Sequence, residues 1–169
     1  RLRLAALLAE AELTVTELTT ILGQSQPRIS RHLKLLVDAN LVERHREGAW
    51  AFFSLREKGS VRFVRASLAA LDPEDPILVA DRTRLAEVRM ERTRAADGYF
   101  ARHAGDWDRL RALHAPDSEV EAALLAAVGA GPFRAVLDLG TGTGRMLTLL
   151  GGRAERVVGI DANAAMLSV

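Results

Sequence analysis

The pattern in this chain with the most chemistry in it is a carboxylate followed by three alternating glycines, Asp138-Leu139-Gly140-Thr141-Gly142-Thr143-Gly144. Glycines let a backbone turn tightly and come close to a ligand. The run follows an apolar stretch of strand length, Phe133 to Leu139, and precedes a short helical pattern, Arg145 to Leu150. A nucleotide-binding loop has this context. A second strand-like run, Arg156 to Ile160, ends at Asp161, where a carboxylate can accept hydrogen bonds from both ribose hydroxyls. Dinucleotide sites space their glycines G-x-G-x-x-G and aim a helix N-terminus at a pyrophosphate. Here the spacing is one residue shorter, and Asp138 lies two residues before the first glycine. A carboxylate there suits a cationic ligand better than a pyrophosphate, so a nicotinamide dinucleotide is the lesser alternative. The bland reading is a glycine turn with a structural role alone.

A second group of residues suits nucleic acid. Between Gln24 and Arg46 stand five cations, Arg28, Arg31, Lys34, Arg44 and Arg46, against Asp38 and Glu43. Ile29, Leu33 and Leu36 recur at helical spacing and mark a buried stripe. Gln26, Arg28, Ser30 and Arg31 then lie at or near the opposite face. Arginine bonds bidentately to guanine and glutamine to adenine, and a basic helix after a tight turn suits the major groove. Arg46, near the tip of a following hairpin, is placed for a phosphate or the minor groove. The competing reading is a helical domain with a solvated basic face.

Composition narrows the classes. The 169 residues carry a net charge of only +1, so the basic stretch is a local feature. The absence of cysteine removes disulfides, thiolate metal ligation and cysteine nucleophiles from this sequence. No apolar run approaches the roughly 18 residues of a membrane span, and no signal segment opens the chain, so a soluble cytoplasmic protein without a membrane partner is expected. His103, Asp106 and His114 fit no standard zinc spacing and read as solvated helix residues, and His32 and His45 as ordinary polar surface.

The elements that must position these groups follow from pattern and punctuation. Residues 2–10 form an Ala/Leu helix. Thr14 with Glu17 is a capping box for a helix from Val15 to Leu22, which Gly23 stops. Ser25 caps the next helix, Pro27 falls in its first turn, and Ala39-Asn40 ends it. Leu41–Arg46 and Trp50–Leu55 flank a Glu47-Gly48 turn and predict a hairpin. A helix is expected over Ser60–Leu71, closed by Asp72-Pro73. Charged helical patterns cover 77–98 and about 99–114, and a capped helix runs from Asp117 to Val128. The period then changes to β-turn-α-β, the opening of a parallel sheet. The expected fold is mainly α with α/β. It comprises a winged helix-turn-helix domain over 1–72, a helical linker over 73–115 and the beginning of a Rossmann-like domain over 116–169.

The segment LTTILGQSQPRISRHLKLLVDANLVERHREGAWAFFSL, residues 18–55, resembles the recognition helix and wing of ArsR-type bacterial repressors. That resemblance spans about residues 1–72. It implies a homodimer, held by the helices at about 2–10 and 60–71, on a roughly palindromic double-stranded DNA operator. It assigns base contacts to Gln26, Arg28, Ser30 and Arg31, and backbone contacts to the wing around Arg46. Metal-sensing members carry Glu-Leu-Cys-Val-Cys where this chain has Glu12-Leu13-Thr14-Val15-Thr16. Hydroxyls are poor ligands for soft metals, so that thiolate site is absent.

The run Asp138 to Gly144 is similar to the D-x-G-x-G-x-G motif of class I S-adenosylmethionine-dependent methyltransferases, over about residues 99–169. The likeness implies that Asp138 and Gly140 hold the methionyl part, while Gly142 and Gly144 shape the loop. Asp161 would bind the ribose, and Ala162 would lie against the adenine. Tyr99-Phe100 and Trp107-Asp108 resemble the helical lead-in of ubiquinone-biosynthesis-type members. The chain opens on Arg1 and closes on Val169 soon after this motif, so it reads as a piece of a longer protein. With only the first two strands of the sheet, such a piece is expected to bind the cofactor weakly and not to catalyse.

Two functions follow as expectations. The first is a repressor whose appended domain senses S-adenosylmethionine or S-adenosylhomocysteine. The alternative is a small-molecule methyltransferase with a regulatory DNA-binding domain; no catalytic base is identifiable in this sequence. A dimerisation module with a vestigial second domain is the third reading.

Overall fold

The computed structural model describes residues 1–59 and 61–169. The chain divides into two compact units, Arg1–Arg92 and Thr93–Val169.

The first unit opens with α1 (Leu2–Glu10), β1 (Leu13–Thr14), α2 (Val15–Leu22) and α3 (Gln26–Asp38). It continues with β2 (Val42–Glu47), β3 (Trp50–Leu55) and α4 (Val61–Ala69). Ser60, the expected start of the last helix, lies outside the described residues. The predicted capping box forms in full: the Glu17 amide donates to Thr14 Oγ1 at 3.3 Å, and the Thr14 amide donates to Glu17 Oε2 at 2.8 Å. Gly23 then ends α2 in the left-handed conformation that glycine adopts freely. Ser25 occupies the N-cap position of α3 without a side-chain capping bond. Asn40, at φ 55°, turns the chain out of α3; asparagine tolerates this region better than most residues.

β3 is central in an antiparallel sheet of order β1-β3-β2. The hairpin forms, but its turn is one residue later than expected. Glu47 pairs with Trp50, and the two-residue loop is Gly48-Ala49, with Gly48 at φ 57°. A hairpin loop of this length requires positive φ, which glycine supplies.

Leu7, Leu8, Leu18, Ile21, Ile29, Leu33, Val42 and Val61 are buried in one core. Truncating a side chain such as Leu33 to alanine costs about 2–5 kcal/mol. Leu85 joins this core from α5 (Pro76–His103), so the first part of the segment read as a linker packs with the N-terminal domain. Asp81 of α5 is buried beneath two guanidinium groups: Arg3 binds both its oxygens at 2.6 Å, and Arg84 binds Oδ1 at 2.7 Å. α5 is also continuous where two helical stretches were expected. Gly98 falls inside it and costs roughly 1 kcal/mol rather than a break.

In the second unit a short 3-10 turn (Ala104–Asp106) follows α5, then α6 (Trp107–Ala112) and α7 (Asp117–Val128). β4 (Val136–Leu139), α8 (Arg145–Gly151) and β5 (Val157–Ile160) complete a β-α-β unit whose strands pair in parallel. Phe133 lies outside the strand proper but bridges to Ala154, so the apolar run is extended over a shorter length than expected. One face of the pair, with Leu137, Leu139 and Ile160, is exposed.

Candidate DNA-contacting face and glycine-rich cleft

The orientation of α3 is set by two opposed demands. Ile29, Leu33 and Leu36 are buried at 0, 1 and 8% exposure, which fixes the rotation of α3 about its axis. Gln26, Arg28, Ser30 and Arg31 are then all exposed. The amides of Arg28 and Ile29 bond to the Ser25 carbonyl at 3.0 and 3.1 Å, so Pro27 enters the first turn without removing a needed donor. His32, beside these arginines, has its pKa lowered, first by burial and then by positive charge that includes Arg1, Arg28 and Arg31. Its Nδ1 is buried without a hydrogen-bond partner. The helix therefore carries fixed cations and a histidine biased towards neutrality.

On the hairpin, Arg44 lies over the Phe53 ring at 5.9 Å, and His45 stacks on Phe52 at 5.5 Å. These side chains are used against the sheet's own aromatic residues. Arg46 is exposed and pairs with Ala51, one residue pair below the Glu47–Trp50 closure. Trp50 beside it is 62% exposed, a large apolar side chain at the wing tip that sequence reading did not single out.

In the second unit Gly140, Gly142 and Gly144 have φ of 78, 57 and 82°, values that favour glycine at each position. The amides of Gly140 and Thr141 both donate to the Ile160 carbonyl, at 2.8 and 3.0 Å, and tie the loop to the end of β5. Asp161 receives the Gly142 amide on Oδ2 and the Asn163 amide on Oδ1, each at 2.8 Å. Each carboxylate oxygen keeps a further lone pair for a hydroxyl donor. Gly159 is required by close approach: a Cβ there would lie 2.6 Å from Thr141 Oγ1 and 2.8 Å from Leu147 Cδ1.

A cleft of about 770 Å³ opens beside this loop, lined by Gly140, Gly142, Asp161 and Ala162 together with Phe100 and Trp107. Four of the six expected cofactor residues are thus gathered at one opening; Asp138 and Gly144 are not part of its lining. Asp138 Oδ2 and Thr141 Oγ1 are nevertheless buried without a partner. Buried polar atoms ordinarily find a partner; neither residue is part of the cleft lining, and Thr141 Oγ1 faces Gly159 of β5. Phe100 and Trp107 meet edge-to-face at 5.1 Å, and Thr143 Oγ1 donates to Asp108 at 2.9 Å, fastening α6 to the loop. His103 packs on Tyr99 at 4.6 Å and Asp106 pairs with Arg109 at 3.5 Å. Among the described residues no cluster of three or more histidine, aspartate or glutamate side chains is arranged to hold a metal ion. No helix among them is long and apolar enough to cross a membrane.

Besides Trp50, two features escaped the sequence. Asp81 is legible only as the i,i+3 partner of Arg84, because its bidentate partner Arg3 lies 78 residues away. Glu17 is legible as a cap, but not as the ion-pair partner of Arg92, 75 residues on, at 2.5 Å.

The profile of the "bacterial regulatory protein, arsR family" matches residues 1–44, which hold α1, α2, α3 and the start of the hairpin. An arsenic resistance transcriptional regulator of Pseudomonas putida is 40% identical over 90 residues, covering 52% of this chain and 70% of that protein. The arsenical resistance operon repressor of Escherichia coli is 46% identical over 56 residues, covering 32% and 48%. A biofilm growth-associated repressor of Agrobacterium fabrum is 38% identical over 69 residues, covering 41% and 59%. The chain thus spans between about half and seven tenths of these relatives' lengths. No solved structure matches it. With the buried stripe, the exposed basic face and the hairpin in place, these likenesses identify the chain as a member of the ArsR family of bacterial regulatory proteins.

Proposed function

We propose that the first unit binds a double-stranded DNA operator as a transcriptional repressor, acting as a homodimer. The observation that carries this is that α3 exposes Gln26, Arg28, Ser30 and Arg31 while Ile29, Leu33 and Leu36 are buried in the core. A helix held at a fixed rotation by its core presents base-reading groups with its backbone already ordered, so that only side-chain freedom is lost at each contact. Arg46 on the wing supplies a backbone contact outside the groove occupied by α3. Of the relatives' names two describe repressors and one a transcriptional regulator, two of the three of arsenic resistance, but this sequence lacks the thiolates a soft metalloid requires. Selection of duplexes from a random pool tests the reading: enrichment of a two-fold symmetric site with half-sites about one helical turn apart supports it. Failure to enrich any sequence sinks it.

A second reading rests on the cleft at the glycine loop, which Gly140, Gly142, Asp161 and Ala162 line together. The second unit would take S-adenosylmethionine or S-adenosylhomocysteine, with Asp138 and Gly140 at the methionyl part. Asp161 would hold the ribose and Ala162 the adenine, while Gly142 and Gly144 shape the loop. These residues fit such a ligand: acidic groups meet its cationic and hydroxyl parts, and glycines leave the backbone open to approach. When bound, the cofactor supplies an activated methyl group; this chain's own residues supply binding and orientation. Ligand binding would be linked to operator affinity through the helices of 77–114, and a methyltransferase with a regulatory DNA-binding domain is the enzymatic alternative. Calorimetric titration of the chain with each ligand, with and without the selected duplex, separates these. Heat that changes with DNA supports the sensor, heat indifferent to DNA supports a separate binding or catalytic role, and no heat at millimolar ligand removes both.

A further inference from the structure

We infer that Arg92 is a positioning residue for DNA binding, which holds the wing at a fixed distance from the helix-turn-helix without touching DNA. The inference rests on the operator-binding reading above. Its ground is a junction inside the first unit that neither the family profile nor the relatives' names describe.

Thr14 is the joint of that junction. Its backbone pairs with Phe52 in wing strand β3, and its side chain caps α2 through Glu17. Arg92, on α5, grips the pieces on either side. Its Nε and one terminal nitrogen each lie 2.5 Å from an oxygen of Glu17, a bidentate fork. The same terminal nitrogen donates to the Glu12 carbonyl at 3.2 Å, just ahead of β1. The guanidinium also lies over the Phe52 ring at 5.7 Å. Phe52 in turn stacks against His45 of β2, and Ala51 beside it pairs with Arg46. One side chain therefore joins the cap of α2, the chain before β1 and the aromatic floor of the wing. Arg84, two turns earlier on α5, fastens the far end of α2 by donating to the Ile21 carbonyl at 2.5 Å. α3 packs against α2 and also directly against β2, with Leu33, Leu36, Val42 and Phe53 in one core, so the contacts that α5 makes brace a spacing between α3 and Arg46 that this core already sets in part.

The groups facing this junction are Glu12, Glu17 and His45, with His45 Nε2 3.6 Å from Glu12. Glutamine is also accepted at the third position of a capping box. Glu17→Gln therefore keeps the cap of α2 while removing the charge that Arg92 grips. That substitution separates the two roles of Glu17.

The test uses fluorescence anisotropy with a labelled duplex selected by the unmodified chain and with a scrambled duplex of the same length. Arg92→Ala is expected to weaken binding to the selected duplex by roughly fivefold and to leave the scrambled duplex within about twofold. Arg92→Lys, which keeps the charge and loses the fork, falls between. Glu17→Gln reproduces the loss, and the double variant is no worse than Arg92→Ala alone. The salt dependence of the selected complex keeps its slope, because no phosphate contact is removed. Three results would overturn the inference: unchanged affinity in Arg92→Ala, a slope reduced by about one, which would make Arg92 itself a phosphate ligand, or an equal loss on both duplexes with a lowered melting temperature. If the unmodified chain selects no duplex, the operator-binding reading falls first and this inference falls with it.

Discussion

Replacing Asp81 by alanine tests the packing of α5 on the N-terminal domain. The carboxylate is 3% exposed and accepts three short hydrogen bonds, two from Arg3 at 2.6 Å and one from Arg84 at 2.7 Å. Removing one partner of a buried ion pair costs roughly 3–5 kcal/mol where the remaining charge stays buried. Here the guanidinium groups are 32 and 40% exposed, so both can recover water once the carboxylate is gone. That discount brings the expected loss to about 2 kcal/mol. The assay is urea unfolding followed by far-ultraviolet circular dichroism, with amide exchange at Leu7 and Leu8 reporting on the first unit alone. The midpoint should fall while the slope of the transition is kept, and protection of α1 should fall with it. A loss below about 0.5 kcal/mol would refute the reasoning. It would mean that Leu85 and its apolar neighbours hold α5 and that the ion cluster is neutral in effect.

Acid should unfold the first unit through the same groups. Burial alone would raise the pKa of Asp81, but the bonds from Arg3 and Arg84 together outweigh it and the net direction is down from 3.8. Glu17 behaves likewise: burial opposes, and Arg92 with Thr14 brings it below 4.5. A carboxylate with a depressed folded pKa contributes stability above its unfolded value and loses it as pH falls through the folded one. Melting temperature should therefore be level above pH of about 5 and drop below about 4, and Asp81→Asn should flatten that drop; an unchanged profile in the variant would assign the acid limb elsewhere. In the second unit, Gly159→Ala places a Cβ 2.6 Å from Thr141 Oγ1 and 2.8 Å from Leu147 Cδ1. Overpacking of this kind costs about 1–3 kcal/mol, read as a lowered midpoint of the second unit, and a neutral result would show that the loop yields without strain.

What was legible beforehand follows from the range of each interaction. α1, the capping box of α2 and the buried stripe of α3 are encoded within a turn or two of helix, and they form where expected. The wing turn was displaced by one residue because Gly48 takes the first loop position, which leaves Glu47 to close the ladder. The continuity of α5 was missed because a charged helix with little amphipathic contrast gives no periodic signal through Gly98. Asp81 and Arg92 were invisible for a different reason. Each has its bidentate partner more than 70 positions away, and the i,i+3 pairing of Asp81 with Arg84 does not reveal that contact. At the glycine loop, four of the six residues singled out by spacing, Gly140, Gly142, Asp161 and Ala162, line the cleft, while Asp138 and Gly144 do not. That Asp138 Oδ2 and Thr141 Oγ1 are buried without a hydrogen-bond partner is visible only in the folded chain.

The most direct measurement of the central claim is the affinity of the chain and of Arg28→Ala/Arg31→Ala for a duplex selected from a random pool, at two salt concentrations. The account predicts that the double variant keeps its melting temperature, since both side chains are exposed. It also predicts a loss of at least about tenfold in preference for the selected over a scrambled sequence. Equal binding of both duplexes by the unmodified chain, or a variant that discriminates as well as the parent, would contradict it.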